Sequence, residues 1–221
     1  GFNEDDLIFW LDEIITTPLV EPFTGSQLTH VNLASDKDFC LADIAMDQTL
    51  RESEFYFPME KANISALTKL LTDHRNLAML DEDHSFNANP VRLPSYQSLK
   101  GMMHGFIDLV FEQNGKYYVC DYKSSHLGDD FTDYNPLALR TNIEKNYYDL
   151  QYLIYSLALH RYLKQNVTDY DVKQHFGGIY YLYLRGMTND EQHRGAGVYF
   201  RNIPLEELTT LDNIFLGKEK S

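Results

Sequence analysis

The dipeptide Asn114-Gly115 constrains this chain more than any other feature. It separates two runs rich in β-branched and aromatic residues, 105–113 and 116–123. A two-residue type I′ turn needs φ > 0 at both central positions, and Asn-Gly meets that demand at least cost. The spacing predicts a hairpin in which Gln113 faces Lys116. Counted outward from the turn, Asp108 falls opposite Asp121, and side-chain alternation puts Lys123 on the same face. Like charges directly opposite weaken a ladder, and two carboxylates about 5 Å apart resist being ionised together. A hard divalent cation removes that conflict, and Mg²⁺ commonly binds through one or two carboxylates plus substrate phosphates. Lys123 is then placed to hold a water or a phosphate oxygen beside the metal.

The bland alternative for these three residues is a solvated polar face. The rest of the hairpin argues against it. Ile107, Leu109, Phe111, Tyr118, Cys120 and Tyr122 fall on the opposite face and are all apolar or aromatic. Phe106, Val110, Tyr117 and Val119 share the face of the two aspartates. Strands apolar on both faces are buried on both sides. Asp108, Asp121 and Lys123 are then isolated charges in a buried hairpin, which favours a site.

A length of 221 residues suits one domain, taken here as 1–221, with a single core. The formal net charge of −14 works against free association with nucleic acid. A nucleic-acid enzyme with this balance needs local basic patches, metal ions or a larger assembly that delivers its substrate. Cys40 and Cys120 are too few for a disulfide framework or a zinc site and read as buried thiols in a reducing cytoplasm. No apolar run is long enough to span a membrane, and the acidic start GFNEDDLIFW is unlike a signal peptide.

Residues 3–16 read as a helix capped by Asn3, with an apolar stripe of Leu7, Trp10, Leu11, Ile14 and Ile15. Pro22 and Gly25 mark a loop, and the pattern over 26–47 is ambiguous. Residues 48–58 alternate like an edge strand, on which Glu54 is either solvated or a supporting carboxylate near the metal. A helix over 64–74 buries Ile64, Leu67, Leu70 and Leu71. Residues 81–99 read as a long loop. Asn135-Pro136 starts a helical region that runs to about Gln165 with a break near Asn146. Its second half carries two stripes, Leu150/Ile154/Leu157/Ala158/Arg161 and Tyr148/Gln151/Tyr155/Leu159. Gln151 and Tyr155 are four apart and therefore neighbours, and from spacing alone ordinary contacts on a helix flank are the favoured reading. Residues 175–185 read as an interior strand, 197–202 as a short return strand and 204–216 as a last helix. The eight histidines are scattered, with no i,i+4 metal spacing. His104 lies about 13 Å along the strand from Asp108, too far to share a metal, and suits a surface or phosphate contact.

The segments GFIDLVF, DYKS, YDLQYLIYSLALHRYL and HFGGIYYLYLRG together resemble the C-terminal nuclease domain of the RecB family, within the PD-(D/E)xK nuclease superfamily. The resemblance covers nearly the whole chain and is dense over 100–186. It implies an α/β (α+β) fold, a restriction-endonuclease-like mixed sheet flanked by helices. It implies Mg²⁺ held by Asp108 and Asp121 with the Tyr122 carbonyl as a further ligand, and Lys123 positioning the attacking water. Gln151 and Tyr155 match the family's Q-x3-Y pair beside the DNA. In the family a histidine on a helix upstream of Gly1 completes the metal site, and no residue here matches it. The chain thus resembles a fragment of a larger helicase–nuclease subunit whose activity alone is in doubt. The implied partners are DNA, RecC-like and RecD-like subunits and a RecA-type recombinase. Two other readings stay open. One is a non-catalytic module that docks a recombinase or subunit; the other is a sugar or nucleotide enzyme using two aspartates and Mg²⁺.

Overall fold

In the computed structural model, which describes residues 3–19, 39–80, 88–94 and 98–218, Asn114 and Gly115 have φ of 54° and 80°. That pair of left-handed conformations is the type I′ turn the dipeptide predicts. It joins β2 (Ser98–Gln113) to β3 (Lys116–Lys123). The antiparallel ladder runs from Gln113–Lys116 to Leu109–Cys120 in the expected register. β1 (Thr49–Asn63) lines the outer side of β2 as an edge strand. β4 (Phe176–Tyr183) lies parallel to β3, and β5 (Val198–Arg201) closes the sheet antiparallel to β4. The order is β1-β2-β3-β4-β5, a mixed sheet flanked by helices.

A parallel neighbour requires a crossover. Here it is built from α3 (Pro136–Lys145) and α4 (Tyr148–Asn166). Asn135 caps α3 by accepting the Ala138 N–H at 3.0 Å, with Pro136 in the first turn, as the Asn-Pro pair predicts. One sheet face carries the larger core, in which Phe57, Val110, Val119 and Tyr181 meet α2 (Ile64–Leu80), α4 and α6 (Leu205–Phe215). The other face buries Leu109, Phe111, Tyr118, Cys120, Tyr180 and Leu182 against Phe39 and Ile14. Ile14 belongs to α1 (Glu4–Thr16), whose first turn is capped by Asn3. A one-turn helix, α5 (Val172–His175), leads into β4.

Several expectations need correction. Ile107 joins the core on the helix-covered face with Val110, not the face of Leu109. Residues three apart on one face mean that alternation breaks at Asp108. The paired β1 strand breaks at the same level, where Glu52 takes a left-handed φ of 48°. Phe106 is consequently 51% exposed instead of buried. Tyr122, beyond the last β2–β3 ladder pair, is 39% exposed. On α1 only Ile14 is buried, while Leu7, Leu11 and Ile15 face solvent. On α4 the buried stripe includes Asp149, Tyr152, Leu153, Ser156 and Leu163, which neither expected stripe contained. Cys120 is buried, but Cys40 is only partly so and its thiol lies 3.1 Å from Asp43 Oδ2. Helix α2 extends six residues past the expected end at His74, from 74 to 80. The turn at Pro22 and Gly25, and most of the expected 81–99 loop, lie outside the described residues. Among the described residues no helix is long and apolar enough to cross a membrane.

Candidate active site

The fold brings Asp121 and Lys123 to the end of β3, beside the first turn of α4. Lys123 Nζ lies 2.6 Å from Asp121 Oδ2, with both side chains nearly buried. A charge pair taken out of water needs more than its mutual attraction to be tolerated. Here Nζ also donates to Gln151 Oε1 at 2.9 Å. It sits 3.8 Å from the centre of the Tyr148 ring and 4.5 Å from that of Tyr181. The ammonium is therefore enclosed by one carboxylate, one amide oxygen and two ring faces. Cation–π contacts of this kind contribute about 0.5–2 kcal/mol each, most where water is excluded.

Gln151 organises this enclosure. Its Oε1 accepts from both Lys123 and the Tyr181 hydroxyl, the latter at 2.8 Å, while its Nε2 donates to Tyr155 Oη at 2.9 Å. An ammonium has only donors, so the amide oxygen must face it. Tyr155 holds the amide in that orientation and packs edge-on against Phe55. Gln151 thus acts on Lys123 directly, and Tyr155 acts on it through Gln151.

Asp108 is placed differently from expectation. β2 and β3 part beyond Leu109–Cys120, and the Asp108 carboxylate turns into the gap and accepts the Tyr122 N–H at 3.0 Å. It stands in the seam at the fork and not opposite Asp121 on one ladder face. Its charge still reaches Asp121. Burial pushes the Asp121 carboxyl above the ordinary carboxylate range, Lys123 pulls it back, and Asp108 adds to the rise. Apart from the nearby ammonium, Asp121 Oδ2 is a buried oxygen without a hydrogen-bond donor. The ammonium already partners that oxygen, and what suits a hard cation is the nearness of two carboxylates. The donor set therefore fits a divalent metal at the fork. Among the described residues no three His, Cys, Asp or Glu side chains converge. On the α1 side the fork opens into a cleft of about 400 Å³ lined by Ile15, Leu41, Ile44, Arg51, Asp108 and Tyr122.

Glu54 and His104 are not at the fork. They pair with each other at 2.9 Å on the exposed part of the β1–β2 ribbon, where His104 also stacks on Tyr56. Tyr148 and Tyr181 were missed as site residues. Tyr148 was visible as part of the Gln151 stripe. Tyr181 is aligned with Asp121 by the parallel β3–β4 register, and a parallel pairing has no turn residue to announce it.

A family described as the PD-(D/E)XK nuclease superfamily matches residues 21–214. The RecBCD enzyme subunit RecB of Haemophilus influenzae is 39% identical over 204 residues, covering 89% of this chain and 16% of that protein. The subunit of the same name from Escherichia coli is 35% identical over 215 residues, covering 97% and 16%. That of Mycobacterium tuberculosis is 32% identical over 192 residues, covering 79% and 17%. The chain spans 16% of the length of the first two of these relatives.

Proposed function

The chain belongs to the PD-(D/E)XK nuclease superfamily, and from that premise we propose that it is the nuclease domain of a RecB-type subunit that hydrolyses DNA phosphodiester bonds with Mg²⁺. The observation that carries the reading is the buried Asp121–Lys123 pair at 2.6 Å, set where β2 and β3 fork around Asp108. Asp108, Asp121 and the Tyr122 carbonyl would hold the metal, which when bound lowers the pKa of water and polarises the phosphoryl oxygen. Lys123 would point its one remaining N–H at the attacking water, and its positive charge offsets the negative charge that grows on the non-bridging oxygens of the phosphate. Its ammonium needs no reorganisation, because Gln151, Tyr148 and Tyr181 already fix it. Water oxygen bonds to phosphorus and gives up a proton to solvent, the ester P–O bond breaks, and the departing oxygen takes a proton from solvent.

Single strands delivered by RecC-like and RecD-like partner subunits would explain how a domain of net charge −14 handles DNA. The test is cleavage of labelled single-stranded DNA by the complete protein with Mg²⁺. Asp121→Ala is expected to abolish it, and unchanged cleavage would reject these site residues. A second role in protein docking coexists with catalysis on this reading. It is favoured by α1, which exposes Ile8 at 58% and Phe9 at 72%, and contact with a RecA-type recombinase is one form it could take.

A further inference from the structure

We propose that Arg75, on α2, is a positioning residue for Lys123. Its guanidinium locks the corner between α3 and α4 so that the first turn of α4 presents Tyr148 and Gln151 to the ammonium. This inference rests on the nuclease reading of the Lys123 site.

The corner is an awkward piece of backbone. α3 ends at Lys145, Tyr147 takes a left-handed φ of 56°, and α4 starts at Tyr148 without a side-chain cap from residue 147. Such a conformation persists in a residue other than glycine only where its surroundings over-determine it. Arg75 does so from several directions. Nε donates to Asp149 Oδ2 at 2.5 Å, and Nη2 to Asp149 Oδ1 at 3.2 Å and to the Glu144 carbonyl at 2.9 Å. Nη1 reaches the Asn89 carbonyl at 2.6 Å, and the guanidinium lies 5.1 Å from the centre of the Tyr147 ring. One planar group thus ties the last turn of α3 to the first turn of α4. The Tyr147 hydroxyl is held in turn by the Arg92 N–H and carbonyl at 2.8 and 3.0 Å. Arg140 braces the lock from behind, donating to the Arg75 carbonyl and to Glu144.

Asp149 stands between the two α4 residues that touch Lys123, one position after Tyr148 and two before Gln151. Any rotation of that turn moves a ring 3.8 Å from Nζ and an amide oxygen 2.9 Å from it. Lysine at position 75 would keep the charge but lose the planar fork that spans a carboxylate and two carbonyls.

The test is a double-mutant cycle in the complete protein, reading kcat and KM for single-stranded DNA with Mg²⁺, together with melting temperatures. Arg75→Lys is expected to lower kcat by about 10- to 100-fold, the scale of a misplaced reacting group, with KM little changed. In a Lys123→Ala background the same substitution is expected to cause no further loss, because the group it positions is gone. Leu71→Ala, a cavity one turn earlier on α2, is expected to lower the melting temperature without a comparable fall in kcat. If Arg75→Lys leaves kcat intact, or costs the same factor with and without Lys123, the positioning role is overturned while the nuclease reading stands. If Lys123→Ala alone leaves cleavage unchanged, the nuclease reading falls and the positioning role with it. Asp149→Asn, which keeps one acceptor oxygen, carries the same cycle should Arg75→Lys not fold.

Discussion

Lys123 is held by two tyrosine rings and an amide as well as by its carboxylate partner, and this separates its chemical role from its structural one. Lys123→Ala is expected to lower the cleavage rate by a factor on the order of 10²–10³, the usual cost of one electrostatic transition-state donor. Its melting temperature should move little. Removing a buried ammonium relieves its desolvation, while leaving Asp121 less compensated and the two rings without their cation. Cleavage rates and melts of one sample decide this. Asp121→Asn should behave differently. Burial, with Asp108 adding, raises the native Asp121 carboxyl above its ordinary value of 3.8. The folded state therefore holds its proton more tightly than the unfolded chain does. In metal-free protein the stability linked to this group is fully present below the ordinary value of 3.8 and is lost as pH rises from there through the raised folded value. Asp121→Asn removes that slope and should melt higher than the parent at neutral pH. Denaturation followed from pH 4 to 8 would show it, and parallel pH profiles would disprove it. The counting origin that Asn114-Gly115 fixes singled out Asp121 and Lys123 but misplaced Asp108, and the four-residue spacing put Gln151 beside Tyr155 while only the family resemblance made them site candidates. Tyr181, Arg75 and Asp149 were not legible, since their contacts join segments far apart in sequence.

Among the elements, the β2–β3 hairpin was read correctly up to Leu109–Cys120 and incorrectly beyond it. The alternation rule assumes that a ladder continues. At Asp108 it stops, a side-chain acceptor replaces the ladder bond, and Ile107 changes face. A local sequence signal can fix where pairing begins but not where two strands separate, because separation depends on what else each strand pairs with. The stripe on α4 was misread for a related reason. Asp149 and Ser156 lie on its buried side, and a hydrophobic pattern gives polar residues to solvent. Helix α1 shows the opposite case, a correctly placed helix whose apolar residues find little cover. Phe9→Ser is expected to change the melting temperature of the domain only slightly, because the ring is exposed. If α1 docks other protein, the same change should reduce recovery of the complete assembly in size-exclusion chromatography. Unaltered assembly would remove the docking role.

At the scale of the whole molecule, the parallel β3–β4 pair and its crossover have a consequence in time. The two carboxylates are brought near each other by a tight hairpin with a two-residue turn, a local event on the order of 1–10 μs. The enclosure of the ammonium draws on residues 148, 151 and 181, which arrive only when the crossover helices and β4 have docked. Non-local pairings must meet their loop-closure cost first and form more slowly. Repulsion at the fork therefore precedes its neutralisation by an enclosed lysine, and the chain folds through a stage at which its future site opposes it. Stopped-flow refolding of metal-free protein should accordingly be faster for Asp121→Asn than for the parent. Tyr181→Phe, which loses a late contact, should chiefly speed unfolding. Equal refolding rates for parent and Asp121→Asn would mean that the carboxylates meet only after the lysine is in place. On the expected order, the residues proposed to carry the chemistry are also the ones that slow the arrival of the fold.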